Sequence, residues 1–310
     1  YDYKADSVEV YAECGKKLTE LSYDTGKKHA LTGLEFAYGI PATVGGAVYL
    51  VACDALISDL SSLNVIEYNG TALSSDPIKK AAEGEFTVEL LLSYISELKN
   101  DSFAIEQNAL LSLFTAVGGS VFVKDGAGFP RSSLTEDKNF AQKYNTAMLL
   151  AKNDSQSNRG AVFNVTRITP AREGIAYLPL PKAESGAEYV TLADAGSLSL
   201  LAAPVGVVDG LRLSKLLNCL CVASGEHRTS ERAKYTCSGE YGETMISILE
   251  ESARLDLGVL LGWGDIDAYI TDGLASGTSP DDLLGDRIAA MRNKAVETAA
   301  GILAERLKIN

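Results

Sequence analysis

Trp263 is the chain's only tryptophan; it stands between Gly262 and Gly264, with Asp265, Asp267 and Tyr269 just beyond. Glycines beside a large ring let backbone approach closely and leave the ring face open. An open ring next to polar groups suits a sugar, whose apolar face stacks while its hydroxyls form hydrogen bonds. A core tryptophan in a tight turn is the competing reading of the same residues. Ser224-Gly-Glu-His227 puts a hydroxyl, an acid and an imidazole close together in sequence. Triads are assembled across a fold, however, and no Gly-x-Ser-x-Gly elbow surrounds Ser224, so a helix end running into a loop accounts for the group. Asp265 and Asp267 are read as solvated carboxylates on a polar loop. No catalytic residue is assigned, and the chain is read as a non-enzyme.

Metal and cofactor chemistry find little support. The five cysteines, Cys14, Cys53, Cys219, Cys221 and Cys237, follow no disulfide-framework spacing. Cys219 and Cys221 fall within one helical pattern, where positions two apart point to different sides. Only His29 and His227 are present, so no metal site is expected. Gly39-Ile-Pro-Ala-Thr-Val-Gly-Gly-Ala47 could cradle a phosphate, yet it lacks both the Gly-x-Gly-x-x-Gly spacing and a Walker lysine. A net charge of −13 argues against nucleic acid and against docking on anionic lipid. Among 310 residues, no apolar run approaches the ~20 needed to span a bilayer. Tyr1-Asp2-Tyr3-Lys4 carries no targeting features and reads as the interior of a longer protein.

The elements that must position these residues alternate between helix and strand, which gives an α/β class. Val8–Ala12 alternates as a short strand, Gly45-Gly46 turns into a buried strand, and Asn64–Tyr68 is another. Asp76-Pro77 opens a short helix, and Thr87 caps a helix over Val88–Leu98 with Leu91, Leu92 and Ile95 on its apolar face. A helix over Asn108–Val117 ends at Gly118-Gly119, and Val121–Val123 with Asp125-Gly126 reads as a hairpin. Asp137–Lys152 is helical, with Phe140, Tyr144, Met148 and Leu149 on one side. Gly160–Thr166 is a strand leading to the stretch Gly174–Pro204. There Ile175–Leu178 runs into Pro179 and Pro181, which remove backbone donors and stiffen the chain. A turn at Glu184–Glu188 and a strand at Leu198–Ala203 follow, the pattern of a chain crossing between lobes. Helices over 211–224 and 241–254 and a long C-terminal one from Pro280 to Lys308 complete the reading.

Two resemblances emerge from these motifs. Gly33-Leu-Glu-Phe-Ala-Tyr-Gly-Ile-Pro-Ala-Thr-Val-Gly-Gly-Ala-Val-Tyr49 is similar to the flavin-contacting loop of the UDP-N-acetylenolpyruvoylglucosamine reductases. That implies a flavin-dependent reductase as the alternative function. The catalytic serine and glutamate motifs of those enzymes have no counterpart here. From Gly45 onward the chain resembles the extracellular solute-binding proteins of family 1, the capture component of ABC importers. Gly45-Gly-Ala-Val-Tyr-Leu-Val-Ala-Cys-Asp54 resembles that family's Gly-Gly-x-x-Tyr-x-x-x-x-Asp strand and turn, and Asn64–Asn69 its first crossing strand. Asp76–Leu90 is similar to its Pro-Tyr-Glu-Leu helix pair, with Phe86 in the tryptophan position. Gly174-Ile-Ala-Tyr-Leu-Pro-Leu-Pro-Lys182 is similar to its Gly-x-x-Pro-x-Pro-Lys crossing. Ser224–Tyr235, Glu243–Leu257 and Ile270–Gly277 resemble the segments that follow.

This second resemblance implies a type II periplasmic-binding-protein-like fold with sheets flanked by helices and a cleft between two lobes. Residues 1–66 and 190–237 would form the first lobe, incomplete at its N-terminus, and 67–189 and 238–310 the second. The cleft would be lined by Asp54, Tyr68, Phe163, Arg167, Asp194 and Trp263, a mixture of ring faces and hydrogen-bonding groups. The implied ligand is a polar solute, a sugar or oligosaccharide, and the implied partners are ABC permease subunits, with no cofactor and a monomeric state. The implied location is the extracellular face of the membrane, held by a lipid anchor outside this chain. The first strands expected of the family are missing, the segment between Asn153 and Arg172 is short, and Asp194-Ala-Gly196 replaces the aromatic expected after the second crossing.

Overall fold

The computed structural model describes residues 2–3, 8–9, 18–29, 60–98, 102–124, 130–155, 160–194, 215, 219, 222–223, 225–260 and 262–308. The chain separates into two compact units, Tyr1–Leu56 with Ser199–Glu226 and Ile57–Leu198 with His227–Asn310. In the first unit, β1 (Asp2–Tyr3) pairs antiparallel with β2 (Val8–Glu9), and α1 (Leu18–His29) follows. Lys27, Lys28 and His29 occupy the last turn of α1, where positive charge complements the exposed carbonyls. The glycine turn at 45–46 and the strand at 198–203 lie outside the described residues. Of the helix expected over 211–224, Lys215, Cys219, Val222 and Ala223 are described, and all four are helical.

The second unit is built on β3 (Asn64–Tyr68), all five residues of which are buried. Next come α2 (Pro77–Ala82) and α3 (Val88–Glu97). Their starts follow from sequence: the Asp76 carboxylate accepts from the Ile78 N–H at 2.8 Å, and the Thr87 hydroxyl accepts from Leu90 at 3.3 Å. Then follow β4 (Phe103–Ile105), α4 (Leu110–Ala116), the hairpin β5 (Phe122–Lys124) and β6 (Pro130–Ser132), α5 (Ser133–Glu136) and α6 (Phe140–Ala151). Strands β7 (Phe163–Arg167), β8 (Ala176–Leu178) and β9 (Thr191–Leu192) precede α7 (Gly225–Tyr235) and α8 (Gly242–Ser252). The chain ends with β10 (Ala253–Arg254), α9 (Leu257–Leu260), α10 (Ile266–Ser276), α11 (Pro280–Gly285) and α12 (Arg287–Lys308).

Four strands form a mixed sheet in the order β4-β7-β3-β8, with β3 antiparallel to both neighbours and β4 parallel to β7. The register sets Ile66 opposite Val165 and Leu178, and Tyr68 opposite Phe163 and Ala176. The pleat therefore sends Ile66, Tyr68, Phe163, Val165 and Leu178 to one face. There they meet Leu91 and Tyr94 of α3, Leu113 and Phe114 of α4, and Phe140 and Tyr144 of α6. Tyr68 stacks on Phe163 at 5.2 Å between centroids, and Phe163 on Tyr94 at 6.0 Å. Val65 and Tyr177 point the other way, into a smaller core with Leu63, Ile168 and the Ile246 and Leu249 stripe of α8. Helices thus cover the sheet on both faces.

Three expectations change. Leu149 is 48% exposed, because α6 turns only Phe140, Tyr144, Ala147, Met148 and Leu150 inward. The C-terminal helix is two: Asp286 is extended (ψ 142°), and its carboxylate accepts from the Ile288 N–H at 3.1 Å, so one helix stops and another is capped. Gly225, Glu226 and His227 begin helix α7 rather than a loop, and Ser224 lies outside the described residues. The packing predicts that Phe163→Ala costs about 3–5 kcal/mol in chemical denaturation. Leu149→Ala should stay within about 0.5 kcal/mol of the parent.

Candidate functional site

Trp263 follows the short helix α9 in a turn of unusual backbone. Gly262 (φ 61°), Gly264 (φ 65°) and Asp265 (φ 47°) are all left-handed. Glycine reaches that region without penalty; a β-carbon at Gly264 would also sit 2.7 Å from the Arg292 carbonyl oxygen. Arg292 reaches back from α12 and holds the turn. Its Nη1 donates to the Gly264 carbonyl at 2.9 Å and lies 3.3 Å from the Asp265 carboxylate. The guanidinium sits 5.5 Å over the Tyr269 ring, and the Tyr269 hydroxyl donates to the Leu283 carbonyl at 2.7 Å. Asp267 is not on a loop but in the first turn of α10. Burial pushes its carboxyl above the usual range, and Asp265 adds to the rise while Arg292 opposes it.

The half-buried Trp263 ring closes one side of a cavity of about 510 Å³. Phe122 of β5 meets it edge-on, with centroids 5.9 Å apart and planes at 81°. Gly258 of α9 lies flat against the Phe122 ring, where any β-carbon would collide. Val190 and Leu192 supply further apolar wall, and Thr115 and Ser120 bring hydroxyls. Asp256 accepts from the N–H groups of Gly258 at 2.8 Å and Val259 at 3.3 Å, which fixes the first turn of α9. Desolvation raises its carboxyl, with those backbone donors pulling the other way. Lys124 and Arg254 add two cations to the lining. A ring face set among hydroxyls, a carboxylate and cations is equipped to hold a polar solute; among the described residues, no nucleophile hydrogen-bonded to a base lines this cavity.

Five of the six expected cleft residues are described, and they fall in three places. Asp54 lies outside the described residues. Tyr68 and Phe163, opposite each other in the β3–β7 register, are both buried in the core, and the Tyr68 hydroxyl bonds to the Thr71 carbonyl. Arg167 is paired with Asp194, both partly exposed. The fold therefore joins Tyr68 to Phe163 and Arg167 to Asp194, and brings neither pair to Trp263. The site residues that sequence reasoning missed are Phe122, Lys124, Arg254 and Asp256. Phe122 stood within a strand already read as a hairpin arm. The others carried no local signal, since a two-residue parallel pairing of β9 with β10 brings Arg254 to the cavity wall. Among the described residues, no group of acids, histidines or cysteines could hold a metal ion.

No family model matches the chain. Curated relatives are similar over short stretches. The UDP-N-acetylenolpyruvoylglucosamine reductase of Pediococcus pentosaceus is 48% identical over 54 residues, covering 16% of this chain and 17% of the enzyme. The Caldicellulosiruptor bescii reductase is 48% identical over 50 residues, or 16% of each chain. The Clostridium novyi reductase is 34% identical over 106 residues, or 33% of this chain and 34% of the enzyme. The chain thus spans about a sixth to a third of the length of the curated relatives it matches. Among solved structures, UgpB from Mycobacterium tuberculosis, in complex with glycerophosphocholine, aligns with a TM-score of 0.41 at 13% identity, over 79% of this chain and 70% of UgpB.

Two outcomes test the turn that presents Trp263. Arg292→Gln, which leaves the Gly264 carbonyl without its donor, should red-shift the single tryptophan emission and lower stability by about 1–3 kcal/mol. Asp267, with a carboxyl raised on folding, binds its proton more tightly folded than unfolded, so its contribution to stability falls as pH rises through its folded pKa. Asp267→Asn should therefore raise stability at pH 7 relative to the parent and narrow that difference at pH 3, measured by urea denaturation at both pH values.

Proposed function

We propose that this chain is the ligand-capturing part of an extracellular solute-binding protein. It binds a polar solute, a sugar or oligosaccharide, without turnover and delivers it to the permease subunits of an ABC importer. The supporting observation is the Trp263–Phe122 cavity: an aromatic corner bordered by the hydroxyls of Thr115 and Ser120, Asp256 and two cations. This is the mixture of one ring face and a few convergent polar groups that carbohydrate recognition uses. The sequence motifs at Gly174–Lys182 and Asp76–Leu90 support the same family. The full protein would act as a monomer on the outer face of the membrane, held by a lipid anchor beyond this chain. Of the six residues expected from sequence, Trp263 is the one proposed to touch the solute. Asp54, which lies outside the described residues, stays a sequence-based candidate.

The short matches to the reductases favour a second reading, a flavin enzyme that uses the Gly33–Tyr49 loop, which lies outside the described residues. The two readings separate in one preparation. Because Trp263 is the only tryptophan, its emission reports the site directly. Titration with a panel of sugars and oligosaccharides should change that emission saturably and raise the melting temperature by mass action. Trp263→Ala should lose the thermal shift. Absence of any response across the panel removes the binding reading, and a purified protein carrying flavin absorbance supports the reductase in its place.

A further inference from the structure

The charge of the Trp263 cavity runs against that of the protein. The whole chain carries −13, yet among the described residues this cavity is lined by Lys124, by Arg254, which it shares with a neighbouring pocket beside Glu188 and Glu251, and by one acid, Asp256. The acid is already engaged, since its carboxylate accepts two backbone N–H groups of α9. The cations are engaged less. Lys124 is exposed at the end of β5, and among the described residues no carboxylate pairs with it. Arg254 uses Nη1 on the carbonyls of Glu251 at 2.7 Å and Ala253 at 2.9 Å, bonds that orient the guanidinium. Its Nη2 lies 3.5 Å from Glu188, whose side chain is 86% exposed. A pair that open to water contributes little and is easily exchanged for another anion.

An oriented guanidinium with a donor edge held only by a solvated carboxylate is suited to an oxyanion, and a lysine on the same cavity adds a second charge. Taken with the ring face, this selects among polar solutes. Resting on the reading of the cavity as a sugar-type site, we infer that its ligand is an acidic sugar. A pyranose face would lie on Trp263 while a carboxylate or phosphate reaches Arg254 and Lys124. Glu188 competes with that group for Arg254. A neutral sugar would make the stacking contact but leave Arg254 to Glu188 and Lys124 without an anion.

The experiment titrates Trp263 emission in the full chain with galacturonic acid, glucose 1-phosphate and neutral galactose. The inference expects at least one acidic sugar to bind about tenfold or more tightly than galactose, with an affinity that falls as salt rises. The two acidic arms distinguish carboxylate from phosphate. Lys124→Gln, at an exposed position, should weaken only the acidic sugars, and Arg254→Gln should do so more strongly. Glu188→Gln should strengthen them and leave galactose unchanged, an outcome that a purely structural role for these residues would not produce. Galactose binding as tightly as the acidic sugars, with all three variants silent, overturns the inference and leaves the cavity a neutral-sugar site. No emission change with any of the three probes, together with silence across the wider sugar panel, overturns the site itself.

Discussion

One buried hydrogen-bond relay ties the middle of the main sheet to the wall of the cavity. Asn64, the first residue of β3, donates from Nδ2 to the Ser112 hydroxyl at 2.8 Å, and Ser112 donates to the Leu192 carbonyl at 3.2 Å. Both polar residues are almost fully buried, so each would be costly to leave unpaired. Leu192 belongs to β9, the strand that pairs with β10 and so sets the position of Arg254. Strand β3 in turn is fixed from all sides: bonded to β7 and β8 at its edges and covered by packed helices on its faces. The cavity therefore rests on an inner strand of the sheet through two hydrogen bonds, and a rigid frame of this kind lets a binding site hold its shape before the ligand arrives.

The other half of the cavity depends on a different device. Trp263 is presented by a turn with three left-handed residues, a conformation that persists only when its surroundings over-determine it. Arg292 provides that constraint through the Gly264 carbonyl and Asp265, and Tyr269 beneath the guanidinium ties it to α11 through Leu283. The glycines do what the sequence suggests, though for a more specific reason: they permit the left-handed backbone and the approach of α12. A ring held this way loses little freedom when a solute stacks on it.

Elements whose signals are local were legible. Asp76-Pro77 and Thr87 announce helix starts because the capping oxygen and the free N–H groups lie within three residues of each other. The β3 strand and the Gly118-Gly119 helix stop are readable for the same reason. Asp286 shows the limit: a capping aspartate after Gly285 interrupts an alanine-rich run, and periodicity alone carried the helix straight through it. The cavity was half legible. Trp263 drew notice through its composition, and Arg254 and Asp256 lie within ten residues of it, but Phe122 and Lys124 arrive from the distant β5, and the strands that build the wall are too short to show a period. Tyr68 and Phe163 have the residue types of a binding cleft, and only the register, which stacks them on each other, shows that their rings are spent on the core.

The central claim is that a polar solute rests on the Trp263 ring and leaves unchanged. Incorporating 5-fluorotryptophan places a single fluorine resonance at that site. The account predicts that this resonance shifts saturably as the bound sugar is added, while the sugar is recovered intact after prolonged incubation. A resonance that stays fixed while a solute demonstrably binds elsewhere on the protein, or a solute consumed during the titration, would contradict it.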